Sequence, residues 1–223
     1  AALWERSMME AYGRLTFPNG RTGAPTIVGD LVIVHGITAG WGSLGPARDR
    51  FYGLDKRSGE LRWVSTPGVG PQDSSFSTPI VGNHDGRVVF YAGTGCGHVV
   101  CIDARDGTVI WRMRISRGGV NATPVLNNGR VIAIHGKENL DDSTSGRMVA
   151  IDARGAAPGP AGPAELGQSA EVWRNNLGHF TSSPALGPEA LYQMTPTGEL
   201  AAVSLADGAI LWRHKLGSEQ LHA

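Results

Sequence analysis

The feature that most constrains the fold is a short pattern that the chain repeats. It reads "GLDKRSGELRW", "CIDARDGTVIW" and "AVSLADGAILW", and each copy ends in a tryptophan. A glycine stands four residues before each tryptophan, and an aspartate, or a serine in the third copy, stands four residues before the glycine. A fourth copy starts as "AIDARG", is interrupted by "AAPGPAGPAELGQSA", and resumes at "EVW". The repeat positions are Asp55, Gly59, Trp63, Asp103, Gly107, Trp111, Asp152, Trp173, Gly208 and Trp212. Repetition of this kind indicates a protein built from stacked copies of one unit.

The local chemistry of the pattern is that of a β-hairpin. The apolar residues before the aspartate predict one strand, and the aspartate side chain can accept hydrogen bonds from the amides of the turn. The glycine supplies the positive φ that hairpin loops commonly need. The residues that follow the glycine predict a second strand, which carries the tryptophan.

A proline that follows a small residue stands upstream of every copy. These prolines are Pro25, Pro79, Pro124 and Pro184, and each precedes two short apolar runs separated by a turn. Each unit therefore predicts four short antiparallel strands, named A to D in chain order, with the tryptophan on strand D. Four strands in roughly 40–50 residues are typical of a β-propeller blade.

The repeat also predicts where each blade lies. The blades are expected at residues 20–66, 75–116, 120–177 and 180–217, the third with an insertion. Residues 1–13 contain "ALW", which predicts an orphan strand D of a preceding blade, followed by a connector.

These units resemble the tryptophan-docking repeats of the PQQ-like β-propellers. That family includes quinoprotein alcohol dehydrogenases and the non-catalytic lipoprotein propeller of the outer-membrane assembly machine. The resemblance covers nearly the whole chain and implies an all-β propeller of four-stranded antiparallel blades. Because such propellers usually close with seven or eight blades, about four blades here would leave two faces bare, around Ile210 and Trp212 and around Leu3 and Trp4. The alternative is a compact four-bladed ring in which the N-terminal strand closes the last blade.

Composition narrows the classes of function. Lys and Arg total 20, as do Asp and Glu, so the neutral chain has no long-range field for phosphates and nucleic acid is not an expected partner. No apolar run approaches the ~18 residues of a membrane helix, so no transmembrane segment is expected. No signal peptide is recognised in this sequence, which opens at Ala1 without a start Met and is therefore compatible with a targeting segment already removed. The resemblance implies a periplasmic or extracellular location.

One face of the propeller is the expected place for a cofactor. The loops between strands B and C, and between strands D and A, emerge there, and this loop face holds the cofactor in the quinoprotein relatives. The candidate cofactor-binding residues on it are His35, Trp41, Cys96, Asn121 and His135. His35 and His135 both precede a glycine at the end of a strand B, and we interpret them as equivalent. They are either paired ligands or acid–base groups, or hydrogen-bonded residues repeated by duplication.

Other residues of the loop face have a functional and a structural interpretation. The loop "ENLDD" offers Glu138, Asp141 and Asp142 as calcium ligands, but it lacks the spacing of an EF-hand, and a solvated acidic loop is the simpler interpretation. Asn121 begins a glycosylation sequon that coincides with the start of a strand A, and we interpret it as structural. Cys96 lies in a turn and is expected to be exposed. No adjacent cysteine pair, which several PQQ dehydrogenases carry beside the cofactor, occurs in the chain.

The sequence supports two functions of different classes. The preferred one is a non-catalytic scaffold or protein-interaction module without a cofactor, completed by a protein partner or by the remaining blades of its propeller. It fits the neutral charge, the absence of a recognisable nucleophile–base set, and the one tryptophan per blade, which favours packing over a platform for a quinone. The alternative is a quinoprotein alcohol dehydrogenase with PQQ over calcium and a carboxylate base. That mechanism needs Asp, Asn and Glu together on the loop face, and the sequence offers only scattered candidates.

Overall fold

The computed structural model describes residues 2–12, 23–38, 48–68, 70, 75–142 and 144–217. Trp41 lies outside the described residues. Within them, helix is limited to α1 (Met8–Tyr12) and a 3₁₀ turn at Gln168–Ala170. The strands form four antiparallel sheets of four strands, one of which gains a fifth strand. These are consecutive blades of a β-propeller, and the predicted all-β fold is confirmed. None of the described helices has the length and apolar character to cross a membrane.

Each blade follows chain order from strand A to strand D. Blade 1 contains β1 (Thr26–Val28), β2 (Leu31–Thr38), β3 (Arg48–Asp55) and β4 (Leu61–Ser65). Blade 2 contains β5 (Ile80–His84), β6 (Arg87–Gly93), β7 (His98–Asp103) and β8 (Val109–Arg114). Blade 3 contains β9 (Val125–Asn127), β10 (Arg130–His135), β11 (Arg147–Asp152) and, after an insertion that carries β12 (Ala164–Leu166), β13 (Glu171–Asn175). Blade 4 contains β14 (Ala185–Leu186), β15 (Ala190–Met194), β16 (Glu199–Ser204) and β17 (Ile210–Lys215).

The hydrophobic core lies between neighbouring blades. One cluster joins blades 1 and 2, a second joins blades 2 and 3, and a third joins blades 3 and 4. Side chains alternate between the two faces of a strand, so Phe90 packs toward blade 1 while Tyr91, the next residue, packs toward blade 3. Strand β7 is buried along its whole length. Since fully burying one large aliphatic side chain contributes about 1.5–3 kcal/mol, each blade depends on its neighbours for most of its stability.

The aspartate and glycine of the repeat form the hairpin turn between strands C and D. In blade 1 the Asp55 carboxylate accepts hydrogen bonds from the backbone N–H of Arg57, at 2.9 Å, and of Ser58, at 3.0 Å. The N–H of Gly59 donates to the Asp55 carbonyl at 2.8 Å. Arg62 adds an ion pair with Asp55 at 2.8 Å, and this guanidinium holds the pKa of the Asp55 carboxyl well below its usual range.

The insertion of blade 3 folds back onto blade 2, which the sequence does not predict. We call residues 154–170 the clip. Its strand β12 runs parallel to β8 and makes the fifth strand of that sheet. The Arg112 guanidinium donates to Glu165 at 2.6 Å, and His84 Nε2 donates to the Ala156 carbonyl at 2.7 Å. The clip therefore covers the outer edge of blade 2.

The orphan strand D predicted in residues 1–13 stays a prediction, since it would pair with a preceding blade that the described residues do not contain. Residues 2–7 form no ladder, because no described strand lies beside them to pair, and α1 follows. Trp4 nevertheless packs on blade 1, against Gly59, and its Nε1 donates to the Lys56 carbonyl at 2.9 Å. Trp4 therefore lies on Gly59 as Trp63 lies on Gly107, which is the contact expected of a tryptophan from a preceding strand D.

Candidate functional site

The tryptophans of the repeat join one blade to the next. Trp63 packs on Gly107 of blade 2, and Trp173 packs on Gly208 of blade 4. A Cβ atom on Gly107 would lie 2.7 Å from the Trp63 ring, so a larger residue does not fit without movement. Both glycines also have positive φ, +76° and +73°, which other residues rarely adopt. The glycine thus serves the turn and the contact at once, and these indoles pack between blades.

Trp111 reaches the same burial by a different route. Its expected partner is Gly155, but nothing lies within 4 Å of a Cβ built on that glycine. The clip covers Trp111 instead, with Ala156 and Leu166 among the residues packed against its cluster. Trp111 is completely buried as a result.

A second set of contacts between blades lies at the start of each strand A. The residue before the proline donates its backbone N–H to the hydroxyl of the equivalent residue in the next blade. Ala24 donates to Thr78 Oγ1 at 3.0 Å, Thr78 donates to Thr123 Oγ1 at 3.0 Å, and Thr123 donates to Ser183 Oγ at 2.8 Å. We call this series the hydroxyl chain. The Ser/Thr-Pro pairs in the sequence are its signal, although their spacing alone does not reveal the bond.

His35 lies inside the interface between blades 1 and 2. Its Nε2 is 3.0 Å from Asp49 Oδ1, its Nδ1 is 3.4 Å from the Ser77 carbonyl, and both His35 and Asp49 are buried. The ring stacks on Phe51 at a centroid distance of 4.2 Å. Both nitrogens of His35 therefore already have partners within the protein.

His135 is not equivalent to His35, which corrects the interpretation from sequence. His35 pairs with Phe51, two residues before Gly53, whereas His135 pairs with Arg147, three residues before Ala150. Gly53 and Ala150 both lie opposite the tryptophan of their blade, so the two histidines are one residue out of register. Because side chains alternate along a strand, they project to opposite faces of their blades.

The environment of His135 favours its neutral form. Its Nδ1 is 2.8 Å from the Gly136 carbonyl, while its buried Nε2 has no hydrogen-bond partner among the residues that the structure describes. Burial, with a smaller contribution from the charge of Arg147, lowers the pKa of His135 to about 4. At neutral pH it is an uncharged residue of the interior.

Cys96 is buried, not exposed as predicted, because Gly68 lies against its sulfur. Its Sγ is 3.2 Å from His98 Nδ1, and burial lowers the pKa of His98. Cys101 fills a tight position behind Tyr91, and burial raises the pKa of its thiol. Neither thiol is presented to a substrate.

Polar groups without partners occur in the loops between strands D and A. Asn121 is 2% exposed, and neither atom of its side-chain amide has a hydrogen-bond partner within the described residues. The Thr181 hydroxyl, in the next such loop, is also buried, and it has no partner in the described part of the chain. This degree of burial is incompatible with glycosylation of the folded chain at Asn121.

The acidic loop of blade 3 directs its side chains to separate protein partners. Asp141 pairs with Arg147 at 3.0 Å, and this guanidinium lowers the pKa of the Asp141 carboxyl. Asp142 accepts hydrogen bonds from the Thr144 hydroxyl and N–H, at 2.7 and 2.8 Å, which lower its pKa to about 2. Glu138 lies against Gly118. The three carboxylates do not converge on one point.

A calcium ion with PQQ would need several oxygen ligands close together on the loop face. In the described ranges, no three residues of the types His, Cys, Asp and Glu lie close enough to hold a metal ion. Asp49, which is buried near this face, is bonded to His35. The described residues therefore offer no cluster of three such side chains for the calcium ion.

The loop face carries a groove of about 560 Å³ beside blade 3. It lies between the B–C loop of blade 3 and the loop that leads to blade 4, and Lys137, His179 and Phe180 are among its lining residues. Phe180 is 45% exposed and meets the Phe76 ring edge-on at 6.5 Å. Leu140, on the same B–C loop, is 41% exposed. Exposed apolar side chains around a groove are typical of a protein-binding surface.

Comparison with solved structures finds other propellers at low sequence identity. BamB from Moraxella catarrhalis is 20% identical with a TM-score of 0.58, over 87% of this chain and 51% of that one. A europium-containing methanol dehydrogenase is 14% identical with a TM-score of 0.64, over 88% and 46%. The quinohemoprotein alcohol dehydrogenase from Comamonas testosteroni is 15% identical with a TM-score of 0.56, over 90% and 36%. The chain spans about half the length of these proteins or less, and the likeness concerns the fold alone.

Sequence comparison gives a more specific result. No curated protein matches the chain. A family model described as outer membrane protein assembly factor BamB matches residues 10–164 and 162–223, which is most of the chain. Together with the four blades, this match shows that the chain belongs to the BamB family of PQQ-like β-propellers.

Proposed function

We propose that the chain is a non-catalytic propeller scaffold that binds a protein partner through its loop face. The observation that carries the proposal is the contrast on that face between bonded polar groups and exposed apolar ones. His35 is hydrogen-bonded to Asp49, and Asp141 forms an ion pair with Arg147, so these polar groups already interact with other side chains of the protein. The exposed apolar groups are instead Phe180, which lines the groove, and Leu140, on the B–C loop that forms one side of it.

The family supports both the kind of partner and the location. Its description, an outer membrane protein assembly factor, indicates that members of the family act on or together with other proteins. We therefore place the chain in the periplasm, or outside the cell, and expect a protein rather than a small molecule on the loop face.

Photo-crosslinking tests this assignment in the full chain inside cells. A photoreactive amino acid at Phe180 should give a discrete protein adduct. The same amino acid at Val88, which is 53% exposed at the start of β6 on the opposite face, is the matched control and should give none. Adducts of equal yield at both positions, or none at Phe180, contradict the proposal.

A direct assay distinguishes the scaffold proposal from the alternative, a PQQ- and calcium-dependent dehydrogenase. PQQ and calcium are added to the full chain, and quinone absorbance and dye reduction with simple alcohols are followed. We expect neither signal. Turnover of an alcohol would replace the scaffold proposal with the enzymatic one.

We also propose that the chain is part of a ring with further blades. Trp212 is 45% exposed, with Leu211 at 56%, and no described blade packs against this face. An apolar surface of this kind on a blade face needs another blade or a partner. Sedimentation of the 223-residue segment should therefore show self-association. A stable monomer with a cooperative melt would contradict this.

A further inference from the structure

The clip shows how this protein adds a strand to the rim of a blade. Strand D is the last strand of its sheet, so one edge of its backbone has no partner within the blade. At blade 2 that edge is filled by β12, which runs parallel to β8 with Glu165 opposite Arg112. Arg112 Nη2 and Glu165 Oε1 are 2.5 Å apart, and Nε donates to the same oxygen at 2.6 Å. The pairing thus combines a backbone ladder with one charge pair that sets the register.

Blade 4 has the same edge, and no strand of the described residues is added to it. Strand β17 ends its sheet, and all six of its residues are exposed. Trp212 and Arg213 stand in β17 where Trp111 and Arg112 stand in β8, since each tryptophan lies opposite the small residue of strand C. His214 and Lys215 follow, so this end of the strand is basic.

The other strands D fit an acidic segment less well. In β4 the residue after the tryptophan is Val64, which offers no charge. In β13 it is Arg174, but that side chain is held by Glu171 at 2.5 Å and lies 3.8 Å from Asp141. Among the described residues, Arg213 pairs with Glu199 alone, at 3.2 Å, and this exposed pair is a weak competitor for an incoming carboxylate.

We propose that the outer edge of β17 is a docking strand for an extended acidic segment of a protein partner. The segment adds in parallel, with a glutamate or aspartate opposite Arg213, as Glu165 lies opposite Arg112. Addition of a strand to a sheet edge is an established mode of peptide recognition, in which the backbone gives affinity and side chains give specificity. This rim surface is separate from the loop face, so it stands or falls independently of crosslinking at Phe180.

The test uses a peptide with the sequence of residues 160–170, PAGPAELGQSA, and the full chain, whose own clip already occupies β8. We expect saturable binding and slowed amide hydrogen exchange at residues 210–215. Arg213→Glu should weaken binding by about fivefold, the upper range for an exposed ion pair. A peptide with Glu165→Lys should bind the unaltered protein equally poorly, and combining the two changes should restore affinity. Arg57→Glu, an equal change of charge in an exposed turn of blade 1, is the matched control and should have no effect.

Variants of the peptide keep the proposal falsifiable without altering the protein. N-methylation of the peptide at its Ala-Glu-Leu positions removes the backbone donors and keeps the charge, so it should abolish binding. Equal binding of the methylated peptide overturns strand addition. Equal affinity for Arg213→Glu overturns the charge pair. Protection at residues 109–114 in place of 210–215 shows exchange with the clip and overturns the assignment to β17, as does the absence of saturable binding.

Discussion

Trp173 and Trp212 occupy the same position in neighbouring blades and have opposite environments. Trp173 is 7% exposed, packs on Gly208, and donates from Nε1 to the Leu205 carbonyl at 3.2 Å. Trp212 is 45% exposed, because no described blade follows it. Whether the tryptophan is buried therefore depends on the presence of the next blade. Each blade contributes its tryptophan to the interface with the following blade and its glycine to the interface with the preceding one.

Trp111 adds a third case to the comparison. Trp111 is completely buried, more so than Trp173, although the glycine of the next blade does not touch it. The clip supplies the missing cover. The tryptophan thus needs an apolar neighbour of the right shape, and a glycine turn is one way to provide it.

The largest expected effect is the loss of a covered tryptophan. Trp111→Ala and Trp173→Ala should each lower the free energy of unfolding by about 3–5 kcal/mol, as for other large truncations in a core. Trp212→Ala in the same 223-residue segment, at a protein concentration where sedimentation shows the monomer, should cost less than about 1 kcal/mol, as expected for a surface position. Denaturant unfolding of the three variants measures this. Equal losses would show that the face of blade 4 is covered, for example by a second copy of the chain.

We expect a pH-dependent loss of unfolding free energy of nearly this size from His135, which is buried in blade 3. The pKa of His135 is lowered by burial from 6.5 to about 4, so between these values the unfolded chain binds a proton that the folded protein does not. Stability should therefore be unaffected above pH 6.5 and fall as the pH drops toward 4, by up to about 3 kcal/mol. His135→Gln should remove this part of the slope, measured as unfolding free energy against pH. His214→Gln on exposed β17 is the control, and an equal change there would contradict the assignment.

Two turn glycines distinguish the cost of losing the tryptophan contact from the cost of the positive φ alone. Gly155→Ala meets nothing within 4 Å and should cost only the price of positive φ, about 1 kcal/mol. Gly208→Ala has the same strain and also meets the Trp173 ring, so it should cost about 2–3 kcal/mol. Thermal and denaturant melts of the pair give the difference. If the two alanines cost the same, the indole does not depend on the glycine.

The sequence predicts the repeat and its turns well because their causes are local. The spacing from Asp55 to Gly59 to Trp63 is set by one hairpin, and side-chain alternation follows from the strand. The partner of each tryptophan is not local, and for Trp111 it lies in an insertion whose composition suggests a loop. The register of His135 was missed because one residue decides which face of the blade it joins, and a following glycine does not determine that. The burial of Cys96 depends on Gly68, from the preceding blade, and has no signal in the turn itself.

The smallest expected loss of stability concerns the starts of strands A. There neighbouring blades are joined by the hydroxyl chain and not by tryptophans. The Thr123 hydroxyl accepts the N–H of Thr78 at 3.0 Å, and Thr123→Val keeps the shape but removes the acceptor. One such hydrogen bond contributes about 0.5–1.5 kcal/mol, so the loss should be about 1 kcal/mol. Thr66→Val, at an exposed threonine, is the control. Blade 1 already has Ala24 at this position, which offers no hydroxyl to a preceding blade, so the chain of hydroxyls is not essential at every junction. If Thr123→Val cost as much as Trp173→Ala, the blades would be held together at strands A rather than at strands D. The contrast between Trp173 and Trp212 would then matter less than we infer.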